Sequence, residues 1–307
     1  MKYLLSDALC VYTSDNEIQI IKGQSGEIYH FRYTESFLRL LQLMRSPKTF
    51  EELHQSLQSV SMESLNGILQ QLKNMGLIDI ESTLTRDIRV MLIGLGSLGS
   101  HIFTHLSMLP LQSLLIVDDD TVDETNLFRQ VFFTEDYGKD KTDVLISRPT
   151  LIQQVEAVNT VIQSSSNIDK FLDVYQCNLV IQAGDRPSTG ELAMMICDAA
   201  EQRSLPYIIN PGYIGGAVVF PEFYFSGRAY TYRSSHHSWN SHLIFQHQRD
   251  KIPFRLCSEV GSVVAQQVED YRCYREPIGY QKKGYFDYKQ YRWVTVPVDD
   301  EGNEKGE

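Results

Sequence analysis

A glycine turn, aspartates at the ends of two apolar runs, and an arginine and a lysine nearby make up the chemistry of phosphate handling. Residues 89–185 carry all of these in one order. RVMLIGLGSLGS sets Gly94, Gly96 and Gly99 after an apolar run, which is the G-x-G-x-x-G turn. Gly94 permits the tight turn, Gly96 lets main-chain N–H groups approach phosphate oxygens, and Gly99 lets the following helix pack on the strand. The start of that helix offers unsatisfied donors to an anion. In LLIVDDD the apolar run Leu114–Val117 then ends in Asp118, where a carboxylate accepts hydrogen bonds from a ribose, with Asp120 two residues on. Asn126, Arg129 and Gln130 follow in TNLFRQ, and Lys141 follows Gly138. The planar fork of Arg129 and the mobile point charge of Lys141 suit a triphosphate whose geometry changes during reaction. NLVIQAGD delivers Asp185 to the end of a further strand, a candidate Mg²⁺ ligand beside those two cations. An NAD-dependent oxidoreductase would share the glycine turn and have no need of Asn126, Arg129, Lys141 and Asp185.

Those groups meet only if the apolar runs Val90–Ile93, Leu114–Val117 and Asn178–Gln182 are neighbouring strands with their carboxyl ends on one edge. The expected fold is therefore α/β: a Rossmann-like, mostly parallel sheet with helices on both faces, binding its ligand at that edge. A small α+β domain precedes it. Ala8–Tyr12, Ile18–Ile21 and Ile28–Arg32 read as strands, followed by three helical patterns. Thr34 can cap the first, with Phe37, Leu40, Leu41 and Met44 on one face. Thr49 and Glu52 form a capping box at the second. The third carries Leu65, Ile68, Leu69 and Leu72 and ends at Gly76, before an extended run, Leu77–Ile80. The expected boundaries are 1–81 for this winged-helix-like domain, 82–298 for the nucleotide domain, and 299–307 for a disordered acidic tail.

Taken in order, the glycine turn, V-D-x-D-x-V, N-L-x-R-Q and G-x-x-K resemble the ubiquitin-activating-type superfamily of adenylating enzymes, which includes sulfur-carrier activators and microcin C-type peptide adenylases. The likeness runs from about Arg89 to Asp270. It is carried by Gly94, Gly96, Gly99, Asp118, Asp120, Asn126, Arg129, Gln130 and Lys141, with the family's Mg²⁺-binding aspartate falling on Asp185. LPYIINPGYIGGAVVFPE and SEVGSVVAQQVED resemble the strand, hairpin and late helix that follow. The resemblance implies ATP and Mg²⁺ as cofactors, a homodimer, and attack of a carboxylate on ATP to give an acyl-adenylate, or an acyl-phosphate if ADP is the by-product.

The chain also departs from the family pattern. Its five cysteines, Cys10, Cys177, Cys197, Cys257 and Cys273, form no C-x-x-C pair, so no cysteine zinc site is expected. Cys257 is the only candidate for a transfer thiol, and the expected reading is a small buried residue. Arg86 is the only candidate for an arginine reaching a partner's ATP. A compact chain of this kind resembles the pantocin A type, in which glutamate side chains are activated and trapped intramolecularly. The alternatives are C-terminal adenylation of a peptide, as in the microcin C type, or of a sulfur-carrier protein.

In front of such an enzyme, three strands and three helices resemble the leader-recognition element of ribosomal-peptide modifying enzymes. A precursor peptide would add as a strand at residues 28–32 and enter a groove beside residues 62–75. DNA is a poor alternative, because Lys73 is the only basic residue on the third helix.

Bulk properties agree with these expectations. The 307 residues allow two domains, and 42% apolar composition supports packed cores. Net charge of −11 argues against general binding of nucleic acid or anionic membranes. No apolar run is long enough to span a bilayer, and unpatterned cysteines point to the cytoplasm. A local exception lies between Gly227 and Cys257, in the stretch 222–256 expected to form a crossover or lid loop. It holds Arg228, Arg233, Arg249, Lys251 and Arg255, together with His236, His237, His242 and His247, whose spacing fits no metal motif.

Overall fold

The computed structural model describes residues 1–6, 9–23, 25–81, 85–210, 212–214, 217–225, 254–287 and 290–297. Most of the expected lid at 222–256, its four histidines, and the acidic tail lie outside the described residues. The chain divides into two compact units, Met1–Thr85 and Arg86–Glu307. Among the described residues no helix is long and apolar enough to cross a membrane.

The first unit contains β1 (Lys2–Leu5), β2 (Leu9–Thr13), β3 (Glu17–Lys22), β4 (Ile28–Arg32), α1 (Glu35–Leu43), β5 (Lys48–Thr49), α2 (Phe50–Ser56), α3 (Met62–Asn74) and β6 (Ile78–Glu81). Two antiparallel sheets form, β2-β3-β4 and β5-β1-β6. The central strand β3 buries Ile18 and Ile20 completely against Leu40 and Leu41 of α1, Leu53 of α2, and Leu65, Leu69 and Leu72 of α3. Caps fix the helix starts. Phe37 N donates to Thr34 Oγ1 at 3.1 Å, and Thr49 and Glu52 exchange bonds of 2.7 and 3.2 Å. Gly76 stops α3 with φ +63°, a left-handed conformation that favours glycine. Strand β4 lies at the edge of its sheet, with Ile28, His30 and Arg32 exposed on alternate positions.

In the second unit the strands β7 (Arg89–Ile93), β8 (Ser113–Val117), β9 (Gln154–Val158), β10 (Leu179–Gln182), β11 (Tyr207–Ile209) and β14 (Glu222–Tyr224) form one sheet in the order β14-β11-β10-β7-β8-β9. All neighbours are parallel except β14, which runs against β11. A short hairpin, β12 (Tyr213–Ile214) and β13 (Ala217–Val218), stands between β11 and β14. The alternation of β7 explains the layers. Val90 and Leu92 join one core with α4 (Ser97–Leu106) and α8 (Phe254–Arg272). Met91 and Ile93 join the other with α6 (Ser165–Tyr175) and α7 (Thr189–Gln202). The short helix α5 (Lys141–Ile146) precedes β9, and the hairpin β15 (Lys282–Asp287) and β16 (Arg292–Pro297) follows α8. Sequence order reverses around β7: the chain moves outward to β8 and β9, then returns to β10 on the other side. That reversal places a crevice at the carboxyl end of β7.

Candidate functional site

A cavity of about 230 Å³ opens at this reversal, lined by the ends of β7, β8, β10 and β11. Its floor is the glycine turn. Gly94 has φ +95°, and a Cβ there would strike the backbone of Gly184; a Cβ on Gly99 would strike the carbonyl of Gly94. Both glycines are therefore required by the packing of the chain on itself. Gly96 differs, because a Cβ there would meet nothing within 4 Å and it borders the cavity. It caps α4 with no side-chain hydrogen bond, leaving the first N–H groups of that helix to face an anion.

Three consecutive aspartates form one wall. Asp118 accepts from Leu95 N at 2.5 Å and from Asp120 N at 2.9 Å. Burial pushes its carboxyl above the usual aspartate value, against the pull of those two donors and of Lys141. Asp119 accepts from Arg186 Nη1 at 2.9 and 3.0 Å. Asp120 takes Lys141 Nζ at 2.9 Å and also Arg186 Nη2. Burial alone would raise Asp120, but the two cations outweigh it and hold its carboxyl below the usual range. The opposite wall carries Asp185, exposed, with no hydrogen bond or ion pair among the described residues. Of the four cavity aspartates it is the one with no such partner.

Of the residues singled out from sequence, Gly94, Gly96, Asp118, Asp120 and Asp185 border the cavity. Gly99 lies one turn into α4 as a packing residue. Lys141 is buried behind Asp120 and does not line the cavity. Asn126, Arg129 and Gln130 lie in the turn after β8. Asn126 is buried and its Oδ1 accepts from Asp123 N at 3.1 Å, which makes it a cap of that turn. The carbonyl oxygen of Arg129 stands 3.0 Å from His101 Nε2, while Arg129 Nε and Gln130 Oε1 are buried without partners among the described residues. Arg86 is stacked between Tyr271 and Tyr274, 4.0 Å from each ring, and donates to the Tyr271 carbonyl. Cys257 is completely buried, and burial pushes its thiol up to about 12.

Asp119, Arg186 and Asn210 also border the cavity and were not anticipated. Asp119 was visible as the middle of the DDD run. Arg186 follows Asp185 directly, yet nothing in the motif asks for an arginine there, and its partners come from a strand more than sixty residues earlier in sequence.

Comparison with known proteins gives a consistent placement. Residues 71–268, more than half of the chain, match the family model described as ThiF family. A stretch of 98 residues is 33% identical to the NEDD8-activating enzyme E1 catalytic subunit of Arabidopsis thaliana, covering 32% of this chain and 21% of that protein. The chain spans between about a fifth and a third of the length of the curated relatives it matches. Solved structures match along nearly the whole chain. E. coli MccB with ATP superposes with a TM-score of 0.69 at 18% identity, covering 97% of this chain and 96% of that one. MccB with AMPCPP and selenomethionine MccA gives 0.68 at 18%, covering 97% of each. PaaA gives 0.59 at 15%, covering 95% and 99%. At these identities the likeness is one of fold.

Proposed function

This chain belongs to the ThiF family, and on that premise we propose that it is an ATP-dependent adenylating enzyme that activates a carboxylate of a ribosomally made precursor peptide. The observation that carries the reading is the division of labour among the cavity aspartates. Asp118, Asp119 and Asp120 are bonded to main-chain donors or cations, and Asp185 faces them with no such partner. A hard divalent cation takes one or two carboxylates and completes its shell with phosphate oxygens and water, and Asp185 is available for that. The open space before Gly96 and the free start of α4 fit a phosphate group.

Residue roles follow from placement. Asp118 accepts from the ribose, and the N–H groups after Gly96 receive phosphate. Asp185 would hold Mg²⁺, whose charge would offset that of the phosphates. Asp120, fixed by Lys141, shapes the wall, and Arg129 contributes positive charge through a side chain whose Nε has no partner among the described residues. In the reaction a carboxylate oxygen of the peptide attacks the α-phosphorus, the bond to the pyrophosphate oxygen breaks, and the acyl group is left on AMP. A carboxylate is already a nucleophile at neutral pH, so positioning and preorganised charge do the work and no general base is needed.

A precursor is the substrate class that suits the first unit. The exposed edge strand β4 can accept an added strand, with α3 as the neighbouring helix. MccB has been solved with MccA, and its fold matches 97% of this chain. For the activated acyl group we favour an intramolecular trap at a glutamate side chain, because Cys257, buried and fully protonated at neutral pH, is no transfer nucleophile. Action as a homodimer in the cytoplasm completes the proposal. Calorimetric titration with MgATP and with NAD, on the wild type and on Asp185→Ala, tests its core. Saturable MgATP binding that weakens in the variant, with no NAD signal, is expected; NAD binding indifferent to Asp185 would overturn it.

A further inference from the structure

Among the described residues that line the cavity, Arg186 is the only lysine or arginine. Its guanidinium does not point at a distant surface partner. It reaches from the end of β10 to Asp119 and Asp120 at the end of β8. Because β7 lies between β10 and β8 in the sheet, this bridge passes over the carboxyl end of β7, where the glycine turn begins. Gly96 and the three members of the bridge line the same cavity.

The bridge is built to be exchanged. Arg186 is 51% exposed and Asp119 36% exposed, the class of ion pair whose net worth is small because water competes for both partners. If Arg186 leaves, Asp120 keeps Lys141 at 2.9 Å and Asp119 is hydrated, so neither carboxylate is stranded. A triphosphate offers the same planar fork a more highly charged set of oxygens, which accept it in the same bidentate fashion.

We infer that Arg186 is a phosphate-binding latch. It rests on Asp119 and Asp120 and exchanges them for the phosphate chain of the nucleotide, so that Asp119 competes with the nucleotide for one guanidinium. This rests on the nucleotide reading proposed above and adds to it a residue and a competition.

Such competition gives the two partners of one ion pair opposite effects, which a merely structural pair does not. Calorimetric titration with MgATP is the measurement, on full-length wild type, Arg186→Gln, Arg186→Lys and Asp119→Asn, each first checked for the wild-type tryptophan emission of the second unit. Arg186→Gln is expected to weaken MgATP about tenfold, the loss of charged hydrogen bonds. Arg186→Lys keeps the charge without the fork and falls between that variant and wild type. Asp119→Asn is expected to bind MgATP more tightly than wild type. Weakening in both Asp119→Asn and Arg186→Gln, or no change in either, overturns the latch while leaving the nucleotide reading standing, provided that Asp185→Ala still weakens binding. A wild-type chain that binds no MgATP overturns both.

Discussion

Lys141 Nζ stands 2.9 Å from Asp120 Oδ2, and the two side chains meet water very unequally: the lysine is 4% exposed and the aspartate 38%. The pair is therefore asymmetric in what its loss leaves behind. Asp120→Asn strands a buried ammonium and is expected to cost about 3 kcal/mol. Lys141→Met leaves a carboxylate that still has water and Arg186, and about 1 kcal/mol is expected. Urea unfolding followed by tryptophan emission reads this directly, since both tryptophans, Trp239 and Trp293, lie in the second unit. Equal costs, or the reverse order, contradict the asymmetry.

The three glycines of the turn are expected to separate into two kinds. Gly94→Ala combines φ +95° with a collision against the Gly184 backbone, and a loss of about 3 kcal/mol or more is expected. Gly99→Ala drives a methyl into the Gly94 carbonyl and behaves alike. Gly96→Ala meets only open space, so stability should change by less than about 1 kcal/mol. Its methyl enters the cavity, and the effect is expected in MgATP affinity instead. A Gly96→Ala protein that binds MgATP normally would remove the phosphate from that turn.

Chemical labelling tests the absence of a transfer thiol. Cys10 is exposed and Cys257 is completely buried, with its thiol pushed up to about 12. Native protein treated with iodoacetamide near neutral pH should be alkylated at Cys10 and spared at Cys257, as peptide mass mapping will show. Cys257→Ala should retain adenylation, at a stability cost of about 1 kcal/mol for the small cavity it leaves.

Acidification should act on binding through Asp118. Its folded carboxyl titrates above 3.8, so between 3.8 and that raised value the folded state holds a proton that the unfolded state releases. Through that window its contribution to stability falls as pH rises. Asp120, held below 3.8, contributes stability that is present above 3.8 and lost as pH falls through its folded value. A ribose acceptor must be ionised to accept well. MgATP affinity should therefore decline on acidification sooner than an ordinary carboxylate predicts, and Asp118→Asn should bind about tenfold more weakly at neutral pH without that acid limb. An unchanged acid limb in Asp118→Asn assigns it to another group.

Strands β7, β8 and β10 were legible because they are nearly continuous apolar runs buried on both faces; the edge strand β9, QVEAV, carries Glu156 and is only half-buried, so no such run marks it. The first unit was readable in its helices, where Thr34, Thr49 and Gly76 mark boundaries locally. Strands β1 and β5 were not: Lys2–Leu5 pairs with Ile78–Glu81 and Lys48–Thr49, and no local pattern encodes a partner that far along the chain. The same limit applies to charge. Lys141 reads as a cation free to meet phosphate, whereas Asp120 takes it inside the wall. Arg186 carries no motif, and only the neighbourhood of β8 and β10 reveals what it touches.

Helices α4 and α8 meet where Gly261 has no side chain. A Cβ there would press on His105 and on the backbone of His101 at 2.7 to 2.9 Å, and Ser258 Oγ lies 3.1 Å from His105 Nε2. The two helices are thus keyed like tooth and socket and resist sliding along each other. One of them, α4, begins at the phosphate turn. The phosphate turn therefore stands at the start of a helix that α8 holds in place from behind, so a side chain larger than glycine at residue 261 would displace the turn from a site outside the cavity.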